Sequence, residues 1–148
     1  MLAVLQRVSK ASVSINGTVT ASIGKGLLVL LCAVKGDGEA DVDYLVKKTA
    51  QLRIFEDESG KMNRSVAEIG GEVLMVSQFT LAAATRKGNR PSFDAAEAPE
   101  RARGLYETVV SRLRGAGLAV QTGIFGEMMA VALVNDGPVT VLLDSRHD

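Results

Sequence analysis

The run Leu27–Val34, LLVLLCAV, is the most restrictive stretch of the chain. Eight consecutive apolar residues fall well short of the roughly 20 that cross a bilayer as a helix. Gly24 and Gly26 stand before the run and the sequence KGDG follows it. Such bounds on a short apolar run mark a strand buried in a folded body. At 148 residues with 47% hydrophobic and few aromatic residues, the interior is aliphatic and the chain reads as one domain, 1–148, with a core that needs no staples.

Strands dominate around that run. Leu2–Val8 and Ala11–Ile15 read as two strands, and Asn16-Gly17 is a tight hairpin signal leading into Thr18–Ile23. After KGDG the period changes, with Val42, Leu45, Val46, Thr49 and Leu52 at helical spacing. Asp37 is the expected N-cap of this helix, Glu39 and Asp41 its acidic first turn, and Lys47, Lys48 and Arg53 its basic end. A short strand is expected at Arg53–Phe55 and a longer one at Glu72–Gln78. A second helix is predicted from Pro99 to Leu113, with Ala102, Leu105, Tyr106, Val109 and Leu113 on one face and Gly115 closing it. Ala119–Ile124, Met128–Val134 and Val139–Leu143 complete the strands. The fold class is therefore α/β, a layered fold of mixed and antiparallel sheet, barrel-like, with two main helices packed on one face.

Between the last two strands, Asn135-Asp136-Gly137-Pro138 carries turn chemistry, and the spacing suggests a hairpin. Pro138 is a poor choice there, because it stands directly before a strand and cannot donate to the ladder. Its presence leaves open that the Gly-Pro backbone is presented for a purpose.

The reactive side chains are few. The 17 basic and 17 acidic residues balance, so net charge argues for no nucleic-acid partner. A local basic loop, TRKGNRPSF (85–93), still places Arg86, Lys87 and Arg90 together as a weak candidate for phosphate contact. His147, near the C-terminus, is the one histidine, so no internal base serves a Ser-His-Asp or Cys-His arrangement. Cys32 lies in the apolar run, where a thiolate is disfavoured, and excludes an intrachain disulfide. No cluster has metal-ligand spacing and no glycine fingerprint for phosphate or dinucleotide is present, so neither metal nor cofactor is expected. With no signal or membrane segment, a cytoplasmic protein is expected. What remains is VSQFTL (76–81), where Ser77, Gln78 and Thr80 crowd the end of a buried strand. The bland reading is strand-end capping. The chemical one is a preorganised set of hydrogen-bond donors for a developing oxyanion.

GGEVLMVSQFTL, TRKGNRPSF and NDGPVT occur in the order and spacing of the D-aminoacyl-tRNA deacylase family, the bacterial-type D-tyrosyl-tRNA deacylases. LQRVSKASVSI, GKGLLVLL, LRIFEDESGKMN and VQTGIFG resemble the same family, so the resemblance spans nearly the whole chain. It implies a homodimer with active sites at the subunit interface that hydrolyses the ester between a D-amino acid and the 3′-terminal adenosine of tRNA, and removes glycine from mischarged tRNA. By the same resemblance Ser77, Gln78, Phe79 and Thr80 form the active-site strand end. Gly137 and Pro138 correspond to a Gly-cisPro motif inserted into the partner subunit's pocket, and Met129 packs near the terminal adenine. Ala82, Ala83 and Ala84 after SQFTL, and Met128, depart from the usual pattern, in which a tyrosine and acidic residues are common at these places.

An aminoacyl ester is already activated, so the expected mechanism is attack by water with the carbonyl against the backbone N–H groups of Phe79 and Thr80. Ser77 and Gln78 fix that strand end, and the tRNA 2′-hydroxyl assists proton transfer. A nucleophilic Thr80 is the competing version, with no base in sight to activate it. The carbonyls of Gly137 and Pro138 would hold the substrate amino group and leave no room for an L side chain. A non-catalytic RNA-binding homodimer and a purely structural dimer stand as alternatives.

Overall fold

The computed structural model describes residues 1–147. Its strands are β1 (Leu2–Ile15), β2 (Thr18–Ile23), β3 (Gly26–Cys32), β4 (Phe55–Glu56), β5 (Met62–Arg64), β6 (Glu72–Ser77), β7 (Ala119–Thr122) and β8 (Ala130–Asp144). The helices are α1 (Glu39–Gln51) and α2 (Pro99–Gly115), and a 3-10 turn spans Phe79–Ala82. The main sheet runs β2-β1-β3-β6-β7, with β8 added on β1, while β4 and β5 pair apart from it.

β3 and β6 are parallel, as are β6 and β7. Parallel neighbours need crossovers, and α1 and α2 lie in the two that connect them. Both helices consequently cover the same face. Val42 and Leu45 of α1 and Tyr106, Val109 and Leu113 of α2 join Leu5, Leu27, Val29, Val73 and Met75 in one core cluster. Among the described residues no helix packs on the opposite face. Val8, Ala11 and Val13 of β1 curl over it with Ala21 and Ile23 of β2, enclosing Leu28, Leu74 and Val76 in a second cluster. This curl makes the sheet barrel-like. Gly26 permits the close pairing of β3 with β6, since a Cβ there would stand 1.8 Å from the Glu72 carbonyl oxygen.

The structure corrects several expectations. β1 is one strand, continuous through the exposed Ser9 and Lys10. Its register against β8 shifts between Gln6 and Val8 and between Val8 and Lys10, so a bulge stands where the sequence suggests a break. No hairpin forms at Asn135–Pro138. Residues 130–134 and 140–144 run in the same direction along β1, and 136–139 protrude between the pairs Val8↔Asn135 and Gln6↔Thr140. The Gly137–Pro138 peptide bond is cis. The short strand expected at Arg53–Phe55 lies at Phe55–Glu56, Gln78 falls just outside β6, and β8 begins at Ala130. Among the described residues no helix is long and apolar enough to cross a membrane.

Asp37 does not cap α1. Gly38 is the N-cap, its N–H donating to Asp41 at 2.8 Å. Asp37 is instead fully buried and accepts from the Met1 amino group at 2.9 Å, from Val34 N–H at 2.7 Å and from the Arg146 guanidinium at 2.9 Å. Asp37→Asn turns one acceptor into a donor facing these three donors. It is expected to destabilise the fold by about 2 kcal/mol, which a thermal melt registers as a fall of roughly 4–8 °C for a chain of this size.

Candidate active site

The carboxyl ends of parallel strands are where a sheet of this kind leaves a crevice. Here β3 and β6 end side by side, and a cavity of about 550 Å³ opens where they do. Leu31, Cys32 and Ala33 from the β3 end and Ser77, Gln78, Phe79 and Thr80 from the β6 end line it, facing Tyr106, Phe125 and Met129. The Gln78 N–H donates to the Leu31 carbonyl at 2.8 Å, which ties the two strand ends together.

The chain turns sharply at that point. Gln78 has φ −142 and ψ 78, and the 3-10 turn closes with Leu81 N–H on the Gln78 carbonyl and Ala83 N–H on that of Thr80. The amides of Phe79 and Thr80 open the turn and have no acceptor within it. The Gln78 side-chain amide donates to Thr80 Oγ1, which ties the hydroxyl to the start of the turn. The Phe79 ring, largely exposed, meets Phe93 edge-on at 5.2 Å between centroids. That contact, with the Ala84↔Ser92 bridge, anchors the base of the basic loop. Arg86, Lys87 and Arg90 are exposed on the loop and do not line the cavity.

Burial acts on two titratable side chains that line the cavity. Burial pushes the Cys32 thiol up, and its Sγ lies 3.5 Å from the Phe79 carbonyl oxygen. Burial also pushes the Tyr106 hydroxyl well above the usual phenol range while it donates to the Met75 carbonyl at 2.8 Å. His147 pairs with Asp144 on the surface and does not line the cavity. Among the described residues, no group of three or more His, Cys, Asp or Glu is placed to hold a metal. The polar lining is thus hydroxyl, amide and backbone, with the carboxylates of Glu97 and Glu127.

Gly137 and Pro138 are exposed and take no part in the cavity of their own chain. Their protrusion is fixed from below. Asn135 bridges its base, accepting from Val139 N–H at 2.7 Å and donating to the Val139 carbonyl at 3.2 Å. Arg7, only 7% exposed, donates Nε–H to the Asp136 carbonyl at 2.7 Å and Nη1–H to the Ile54 carbonyl at 2.8 Å. Arg7 was not among the sequence candidates. Its signal was parity: Ala3, Leu5 and Arg7 are all buried at alternate positions of β1, and a charge on the inward side needs a fixed partner. Phe125 was also missed, inside a loop without periodicity.

The family model described as D-Tyr-tRNA(Tyr) deacylase matches residues 4–144. This chain belongs to that family. The D-aminoacyl-tRNA deacylase of Anaeromyxobacter dehalogenans is 59% identical over 147 residues, covering 99% of both chains. That of Koribacter versatilis is 57% identical over 148 residues, covering 100% of this chain and 99% of the relative. Among solved structures, the c-Myc DNA unwinding element binding protein superposes with a TM-score of 0.92 at 42% identity, over 97% of this chain and 98% of that one. In this family member the strand end Ser77–Thr80 lines the cavity of its own chain, and the Gly137–Pro138 protrusion does not.

Proposed function

We propose that the protein hydrolyses the ester of D-aminoacyl-tRNA, and that of glycyl-tRNA, as a homodimer whose Gly137–Pro138 protrusion enters the partner's cavity. The observation that carries this reading is the β6 end in a family member: Phe79 and Thr80, whose amides have no partner within the 3-10 turn, line a cavity of about 550 Å³. The ester carbonyl rests on those amides, which strengthen their hold as the oxygen gains charge. Ser77 and Gln78 fix the turn, and Met129 packs beside the terminal adenosine. Water attacks, and the ribose 2′-hydroxyl next to the ester assists the proton transfer.

Selection by handedness is assigned to the protrusion. It is exposed, missing from its own cavity and held by Arg7 and Asn135, as a rigid insert requires. Its carbonyls hold the substrate amino group and exclude an L side chain, while glycine passes because it has none. Exposed Phe79, Met128, Val134 and Leu142 supply apolar surface for subunit association.

The test is ester loss from matched D-, L- and glycyl-tRNA. Turnover of the D and glycyl esters with the L ester spared supports the deacylase; binding without turnover refutes it. The second outcome favours a nucleic-acid-binding module, a reading to which the name of the 42% identical structure and the basic loop lend weight. Arg86, Lys87 and Arg90 are assigned to the tRNA backbone in either case. Their combined replacement by Ala is expected to make the logarithmic salt dependence of tRNA affinity shallower by about 0.7 for each phosphate no longer neutralised, read by anisotropy between 50 and 200 mM salt.

A further inference from the structure

Phe125 is a wall shared by two concavities. With Tyr106 it lines the main cavity, and the same pair bounds a second groove of about 400 Å³ between α2 and residues 122–125. Arg103, Glu107, Ser111, Arg114 and Thr122 supply the polar lining of that groove. The Arg103 guanidinium lies over the Phe125 ring, 5.0 Å from its centroid. Among the described residues no carboxylate pairs with it; Glu107, one turn along α2, shares the groove without forming an ion pair. Arg114 is held by two hydrogen bonds, Nε–H at 3.2 Å and Nη2–H at 2.8 Å, on the Val120 carbonyl, and among the described residues it too has no carboxylate partner. Two guanidinium groups, one stacked and one tethered, thus share with one carboxylate a groove that adjoins the main cavity. A stacked guanidinium keeps its N–H edge free and loses little freedom on binding an anion.

We infer that this groove binds the 5′-phosphate of the terminal adenosine whose 3′-ester occupies the main cavity. The inference rests on the deacylase reading for what fills that cavity. In tRNA the 5′-phosphate of the terminal adenosine joins it to the rest of the chain. A substrate with its ester inside must therefore carry its 5′ side out of the cavity, and Phe125 is the wall the cavity shares with a groove whose two guanidinium groups have no ion pair among the described residues. The basic loop at 86–90 lines neither concavity.

The test compares the 3′-D-tyrosyl ester of adenosine 5′-monophosphate with that of adenosine, which differ by the one phosphate. The parent is expected to prefer the phosphate-bearing ester in kcat/KM by roughly tenfold. Arg103→Gln is expected to reduce that ratio to about twofold or less, and Arg103→Lys to retain part of it. A parent with no preference, or an Arg103→Gln protein with the parental preference, overturns the inference. If the parent cleaves neither ester, the deacylase reading is decided by the D-aminoacyl-tRNA assay. The groove is then judged by calorimetric binding of adenosine 5′-monophosphate against adenosine. A preference lost in Arg103→Gln supports the phosphate site, and equal binding by the parent refutes it.

Discussion

Replacing Phe79 by proline is expected to lower kcat for D-aminoacyl-tRNA by roughly 100- to 1,000-fold, the effect of deleting one oxyanion donor. Backbone donors are hard to test, but position 79 allows it. Phe79 is the first residue of the 3-10 turn, where an N–H has no partner within the turn and proline is tolerated. Gln78, at φ −142 and ψ 78, lies outside the helical region that proline denies to its predecessor. Phe79→Ala is the control: it keeps the amide and removes the ring that meets Phe93, an effect of about 0.5–1.5 kcal/mol, so its loss is expected to stay within about tenfold. Single-turnover hydrolysis of D-aminoacyl-tRNA measures both. Equal rates for the two variants would remove the Phe79 amide from the mechanism. Thr80→Ala completes the set, since it keeps its amide and is also expected to stay within about tenfold. A loss far beyond 1,000-fold in that variant alone would make Thr80 the nucleophile.

The parts of the fold that were legible in the sequence are those set by local periodicity. α1 and α2 follow their apolar spacing, and β3 follows its apolar run to within two residues. The misreadings share a cause: each turned on a partner distant in sequence. Ser9 and Lys10 look like a break but are carried through it because β8 pairs across both halves of β1. Asn135–Pro138 has the composition of a hairpin, yet the strand beyond it continues along β1 instead of reversing. Asp37 has the right residue type and place for an N-cap, but its carboxylate is taken by Met1, Val34 and Arg146. The candidate site divides in the same way. Ser77–Thr80 stood out locally, as polar residues crowding the end of an apolar strand. Arg7 and Phe125 did not, because their roles depend on a carbonyl 129 residues away and on a wall between two concavities.

The protrusion gives the other large effect. Arg7→Ala takes charged donors from two carbonyls, Asp136 and Ile54, at about 1.5–3 kcal/mol each. The stability lost is expected to be at least about 3 kcal/mol, and the melting temperature to fall by roughly 6–12 °C. The functional consequence is separable from this one. Rejection by exclusion requires an insert that does not yield when an L side chain presses on it. Gly137, at φ +152, has little room to readjust, since even a Cβ there would stand 2.7 Å from the Val139 nitrogen and 3.3 Å from Arg7 Nη2. With Arg7 gone, Asp136 is released while Asn135 still holds Val139. The ratio of L to D ester cleavage is expected to rise about tenfold, an energy of 1.4 kcal/mol. Asn135→Ala frees the other side from a half-buried position, so it tests the same idea in a protein whose fold is less burdened. Arg7→Lys offers a compact ammonium in place of a fork that reaches two carbonyls, and is expected to restore part of the stability without restoring full discrimination. If Arg7→Ala and Asn135→Ala both keep the parental L to D ratio, the protrusion is not the chiral filter, however much stability either variant loses.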